Sequence, residues 1–514
     1  MKRYPPYALL LLAAGSPSFG GSVTPGGREI QVELVAQYAD NVIAGDKVHL
    51  RSYNGGLVGP TIRARAGDTL DIHLVNKLPP NPATPNNLEV MAANQARELT
   101  RGVPTPLTNN IPHNFNTTNL HTHGLHVSPA GNSDNVLLAI GPGEEFFYEI
   151  KIPTDHPPGT FWYHPHVHGS TAMQVGSGME GALIIEGNVD QVPAIAAAKE
   201  QVMVLQQIAY ARIDNPIARE EKKGTLESFN RPFINGAWAN GGWHTLINGA
   251  LEPVIQMQPG EVQRWRLIDA GVEEAIRVKI AGPDGKAVPQ RLIAMDGVTT
   301  GRMDVVEAVD LYPGYRADVL IQAPDKPGEY VVFDDEQPSA LSLVGLKKDR
   351  KTLARIKVAG ASKPMALPRE SELAPLAPYK SIADGEVTGQ QKVHFGAQAP
   401  SPYPFSINGH SFDPGAAPRK LTLGGVDEWT LTSEKGAGHI FHIHINPFEV
   451  VDPEGKRYWK DTLFVTAGGT AKVRTRYERY VGKYVIHCHI LPHEDLGMME
   501  EVEVSPRTEA HPHH

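Results

Sequence analysis

A single cysteine among 514 residues excludes an intramolecular disulfide framework. It also excludes any zinc or iron–sulfur site built from several thiolates. Positive charge is not in excess: 48 Lys and Arg stand against 57 Asp and Glu, a net charge of −9. The chain therefore lacks the basic footprint of a nucleic-acid-binding protein, and no such partner is expected. Long hydrophobic runs are missing as well. No stretch reaches the ~18 apolar residues of a membrane-spanning helix, so no membrane partner is expected either. Aromatics are modest at 7%, and helical periodicity is scarce.

What is present instead is a wealth of turn-forming residues, 50 Gly and 43 Pro, between short alternating segments such as 69–75 and 472–477. That pattern predicts an all-β fold of sandwiches or barrels. The length alone suggests about three domains. The N-terminus reads Met1-Lys2-Arg3, then an apolar run from Tyr7 to Ala14, then small and turn residues. This is the layout of a secretory signal, assigned to 1–24, and predicts a periplasmic or secreted protein. The chain ends in a His-rich tail, 506–514, closing on His511-Pro512-His513-His514, which reads as a disordered end.

The chain repeats itself three times. Asn54-Gly55, Asn248-Gly249 and Asn408-Gly409 each precede a second glycine and a strand-like run. Downstream lie GTFWYHPH at 159–166, GEYVVFDD at 328–335 and GKYVIHCH at 482–489. Each opens on Gly with an aromatic two residues later. Self-similarity of this kind means homologous units: 25–190, 200–360 and 386–505. The Pro- and Ala-rich stretch 361–385 reads as a linker, and 80–118 as an insertion loop in the first unit. The second unit has Phe333, Asp334 and Asp335 where the others carry histidines. It is expected to hold no metal, and to space the other two and shape a surface.

Four His-x-His pairs stand out: His121/His123, His164/His166, His442/His444 and His487/His489. Residues i and i+2 of a strand share a face, so each pair projects two imidazoles side by side. Two pairs fall in the first repeat and two in the third. Eight imidazoles meeting between those units would hold a cluster of metal ions, and imidazole suits copper, zinc, iron and nickel. Cys488, between His487 and His489, points to the opposite face. With His439, His493 and Met498 it offers two imidazoles, a thiolate and a thioether, the ligand set of a blue-copper electron-transfer centre. His126 and His168 lie near the motifs but outside the pairs and read as structural or supporting. His73, His113, His244, His394 and His410 have no partner pattern.

The motifs HTHG (121–124), WYHPHVHG (162–169), HIFHIH (439–444) and HCHILPHEDLGMM (487–499) resemble those of the multicopper oxidases. The bacterial laccase and cuprous-oxidase branch is the nearest in form. The resemblance runs from about residue 27 to 505, and implies three consecutive cupredoxin-like Greek-key β-sandwich domains with four coppers. Carried over motif by motif, type 1 copper would be held by His439, Cys488 and His493 with Met498 axial. Type 2 copper would take His121 and His442. The type 3 pair would take His123, His164 and His489 on one ion, and His166, His444 and His487 on the other. Asp134 and Glu494 resemble the family's proton-relay acids, while Cys488 and His493 would admit and pass electrons. Thr122 stands where many members carry Trp, and Ile440 where Pro is common, but no ligand is lost.

The resemblance implies a small-molecule reductant and dioxygen as partners; a monomer is expected. Cuprous-oxidase relatives carry a Met-rich insertion near the type 1 site, whereas here 336–385 contains only Met365. Soft thioethers are what Cu(I) needs. The reading is therefore a laccase-like oxidase of phenols and aromatic amines. Oxidation of cuprous or other metal ions is the alternative, and a non-catalytic copper-binding scaffold a third. A nitrite reductase would use fewer domains per chain.

Overall fold

A computed structural model describes residues 27–87, 110–212, 222–229, 244–343, 347–397 and 405–507. The expected leader 1–24, the middle of the expected insertion (88–109) and most of the C-terminal tail (508–514) lie outside the described residues. The chain is mostly strand, arranged as three successive pairs of sheets.

The repeat seen in the sequence is a repeat of topology. In each unit an opening strand pairs in parallel with the strand that follows the Asn-Gly turn. Glu29–Ile43 pairs with Thr69–Asn76, Lys199–Ile208 with Val262–Ala270, and Gly389–Ala397 with Val426–Ser433. In the second sheet of each unit a short strand pairs in parallel with the last one. These are Ile62–Arg65 with Gly181–Glu186, Val254–Met257 with Lys351–Val358, and Arg419–Thr422 with Met499–Ser505. The first unit has two four-stranded sheets; the others each have a six- and a five-stranded sheet.

The repeated Asn-Gly has a local cause. Asn54, Asn248 and Asn408 all take positive φ (55°, 51° and 53°), as do the glycines after them, the backbone of a tight two-residue turn. Each asparagine also clamps the turn to the opening strand. Its amide oxygen accepts the N–H of Val35, Val204 or His394 (2.6, 2.9 and 2.9 Å). Its amide nitrogen donates to the carbonyl two residues earlier, on Glu33, Val202 or Lys392. No other side chain supplies that donor and acceptor while tolerating the left-handed backbone so readily.

Thr69–Asn76 alternates half-buried and buried along its length, one face in the first core. Gly159–His164 is buried throughout. Phe161 and Tyr163 enter that core, while Trp162 and His164 lie on the other face, against further protein. That second burial is where the site forms. The stretch 361–385 holds helical turns at Glu370–Leu373 and Ala374–Leu376. Leu373, with Met365, Leu367 and Leu376, packs on Val262, Ile293 and Leu320 of the middle unit. Among the described residues no helix is long and apolar enough to cross a membrane.

Candidate metal centre

Strand register brings the histidine pairs together within each unit. His121 lies directly across from His164, and His442 directly across from His487. The first and third units then face each other. His121 stacks on His444, and His123 on His442, each with ring centroids 3.9 Å apart. All eight imidazoles are buried. Nε2 of His487 is 3.2 Å from Nε2 of both His166 and His444, and His489 Nε2 is 3.3 Å from His123 Nδ1.

The eight rings suit a metal cluster. The Nε2 atoms of His121, His164 and His442 are buried with no hydrogen-bond partner, although their other nitrogens are held by Asp134, the Pro165 carbonyl and the Asp461 carbonyl. Orphaned buried nitrogens are costly unless something binds them. Burial, aided by facing imidazoles, holds His121, His123, His442, His444 and His489 well below the usual imidazole range. Burial likewise lowers His164 to about 3 and His166 to about 4. These seven rings are therefore neutral near pH 7, the form that binds metal. His166, His444 and His487 make one convergent triplet, and overlapping groups gather His121 with His123 and His164, and with His442 and His444.

Cys488 turns away from this cluster, as the odd offset predicts. Its Sγ lies 3.7 Å from His439 Nδ1 and 3.8 Å from His493 Nδ1, and those two nitrogens are 3.2 Å apart. Burial pushes the thiol up to about 12, so a thiolate there requires a bound cation. Met498 is fully buried in the same core as Cys488. Its carbonyl accepts the Cys488 N–H and its N–H donates to the His493 carbonyl. His493 is only partly buried and stacks on Phe405 at 3.9 Å.

Both expected acids touch cluster histidines. The Asp134 carboxylate lies 3.1 Å from His121 Nδ1 and accepts the Thr122 N–H at 2.8 Å. Burial pushes it up to about 7. Glu494 bridges two more, at 3.1 Å from His487 Nδ1 and 3.4 Å from His166 Nδ1, and accepts the Thr171 hydroxyl. His126 and His168 stay outside. His126 bonds the Glu478 carbonyl and edges Tyr480; His168 bonds Asn110 and edges Phe412.

Sequence reasoning missed several contributors. Asp495 accepts the N–H groups of Gly169, Thr171 and Ala172, tying the last motif to the second. Asp461 bonds His123 from 338 positions away, and Arg316 of the middle unit holds Asp461. Contacts at such separation leave no local spacing to read. Among the described residues no group of potential metal ligands lies in the middle unit. Asp334 pairs with Lys348 and Asp335 with Arg350.

Multicopper oxidase family models match residues 98–190, 218–351 and 384–508 of the chain. The chain belongs to the multicopper oxidase family. It is 25% identical over 465 residues to the multicopper oxidase mco of Staphylococcus haemolyticus, covering 88% of this chain and 83% of that one. It is 24% identical over 495 residues to the laccase of Bacillus subtilis, 89% of this chain and 90% of that one. The structure of a multicopper oxidase from Campylobacter jejuni described as a metallo-oxidase superimposes with a TM-score of 0.68 at 24% identity, over 94% of this chain and 96% of that one. A multicopper oxidase is an oxidoreductase, and the family implies copper as the metal for which the two sites are built.

Proposed function

We propose that this multicopper oxidase is laccase-like. It couples one-electron oxidation of small organic reductants, phenols and aromatic amines, to the four-electron reduction of dioxygen to two waters. The observation that carries this reading is the position of Cys488. Its side chain meets His439 and His493, while its peptide neighbours His487 and His489 belong to the eight-imidazole centre. In this reading His439, Cys488, His493 and axial Met498 hold type 1 copper, and His121 and His442 hold type 2. One type 3 ion takes His123, His164 and His489, and the other His166, His444 and His487.

Copper in these sites supplies one-electron redox chemistry on one side and four-electron dioxygen chemistry on the other. The chain does the rest. His493, the partly buried member of the Cys488 site, receives the reductant. The Cys488 peptide links the two sites covalently. Asp134 and Glu494, buried against His121, His166 and His487, hold and deliver the protons that water formation consumes.

The organic reading over the metal-ion reading rests on thioether placement. Met365, the one methionine in 336–385, accepts the Val262 N–H at 3.4 Å within a packed cluster and offers no soft ligand to a surface ion. Oxidation of cuprous or other metal ions is the second reading, and the likeness to the Campylobacter jejuni metallo-oxidase favours it. We propose further that residues 1–24 export the chain to the periplasm or beyond, on the strength of their basic-then-apolar layout.

Copper per chain, visible absorption and oxygen uptake test this, using a phenol and then Cu(I) as donor. Four coppers, a blue band and phenol-driven uptake are expected. Bound copper without uptake from any donor would sink the oxidase reading, and uptake with Cu(I) alone would favour the second. Met498→Leu should raise the potential of the type 1 site, because a weak axial ligand stabilises the oxidised ion. A redox titration of the blue band checks it, and an unchanged potential removes Met498 from the ligand set.

A further inference from the structure

Among its described residues the middle unit holds no group of potential metal ligands, yet it reaches the cluster. Arg316 is fully buried, and its guanidinium meets Asp461 of the third unit through two nitrogens, at 2.8 and 2.5 Å. Two more of its donors go to the carbonyls of Gly314 (2.8 Å) and of Thr160 in the first unit (3.2 Å). Asp461 in turn lies 3.2 Å from His123 Nε2, shares that nitrogen with the Thr462 hydroxyl, and accepts from His442 Nδ1 through its own carbonyl at 2.7 Å. His123 is thereby turned so that Nδ1 faces His489, whereas His121, His164 and His442 direct Nε2 inward.

Two glycines record how closely this group is fitted. A Cβ on Gly124, the glycine that ends HTHG, would collide with the Arg316 guanidinium and the Asp461 carboxylate. A Cβ on Gly314 would sit 3.1 Å from the His489 ring and 3.2 Å from His123. His123, His442 and Asp461 also form a group that could hold an ion, but the guanidinium already occupies the cation's place on that carboxylate. A buried ion pair is a poor source of stability, since desolvation offsets most of the attraction. Its use is in fixing geometry, as when a carboxylate sets the tautomer and orientation of a metal-binding histidine.

We propose that Arg316 and Asp461 are positioning residues that clamp His123 and His442, so that the middle unit sets the geometry of the dioxygen-reducing centre. This rests on the oxidase reading above. The guanidinium fork matters, because a lysine cannot bridge both carboxylate oxygens and two carbonyls at once.

The test uses the copper-loaded full chain as wild type, Asp461→Asn, Arg316→Met and Arg316→Lys. Copper content, the blue band, the magnetic-resonance signal of the type 2 ion, melting temperature and dioxygen turnover are measured together. Expected for Asp461→Asn and Arg316→Met are an unchanged blue band, an altered type 2 signal and turnover lower by roughly 10–100-fold, with Arg316→Lys recovering part of the loss. Folded variants with wild-type cluster spectra and turnover would overturn the clamp. So would a loss of both copper sites in step with melting temperature, which a merely structural role predicts. If Asp461→Asn and Arg316→Met do not fold, Arg316→Lys decides alone: a selective change in the type 2 signal supports the clamp and its absence overturns it. A wild-type chain that binds no copper would overturn the oxidase reading itself, and the clamp with it.

Discussion

Cys488→Ser is expected to abolish the blue band and to reduce oxidation of every organic donor to background, while the eight-imidazole centre still binds copper. The reasoning starts from the sulfur. Sγ is fully buried within 3.8 Å of two imidazole nitrogens, and burial alone holds the thiol up at about 12. Copper bound there would supply the positive charge that makes a thiolate, and that thiolate would give the site its colour and its coupling to the peptide chain. A serine hydroxyl neither ionises nor bonds covalently to copper in that way. It does fill nearly the same space, and the backbone bonds from Cys488 N–H to the Met498 carbonyl and from His489 N–H to the Ile440 carbonyl remain. Visible absorption, copper content and oxygen uptake on the same sample decide the matter. Retained blue colour, or retained phenol oxidation without it, would show that electrons enter elsewhere.

Asp134→Asn is expected to lower dioxygen turnover by roughly 10–100-fold, the usual cost of removing a carboxylate behind a metal-binding histidine, with the blue band intact. Unchanged turnover would retire Asp134 from proton supply. The same variant carries a second expectation, for the copper-free protein. Burial raises the Asp134 carboxyl from 3.8 to about 7, so between those values the folded chain holds a proton that the unfolded chain has released. Stability from this group is therefore fully present below about 4 and falls as pH rises through 7, by an amount on the order of 4 kcal/mol. A carboxamide does not ionise, so the variant should lose this part of the decline. Denaturant melts of the two metal-free proteins at several pH values test it. Parallel profiles would mean that the Thr122 N–H and His121 already stabilise the carboxylate enough to cancel its burial.

Much of the site was legible because its grammar is local. His-x-His on a strand puts two rings on one face whatever the fold, and a residue between them must point the other way. The cluster and the Cys488 site separate along one strand for that reason alone. The offsets of His439, His493 and Met498 were readable for the same reason, being short distances along the chain. The Asn-Gly repeats were visible as a pattern, but the amide clamp that explains them needs the neighbouring strand. The stretch 361–385 shows the limit of composition. Pro and Ala suggest a linker, and only the packing of Leu373 against Ile293 and Leu320 shows a segment held down on the middle unit.

The sequence by itself determined the all-β class, the threefold repeat, the paired histidines and the two opposed faces at Cys488, since periodicity and residue chemistry act over a few positions. The tertiary structure alone decided what supports them. Arg316, Asp461, Gly314 and Asp495 act across hundreds of residues, through buried charges and close backbone approach. Such contacts depend on which surfaces three domains bring together, and no spacing along the chain encodes that.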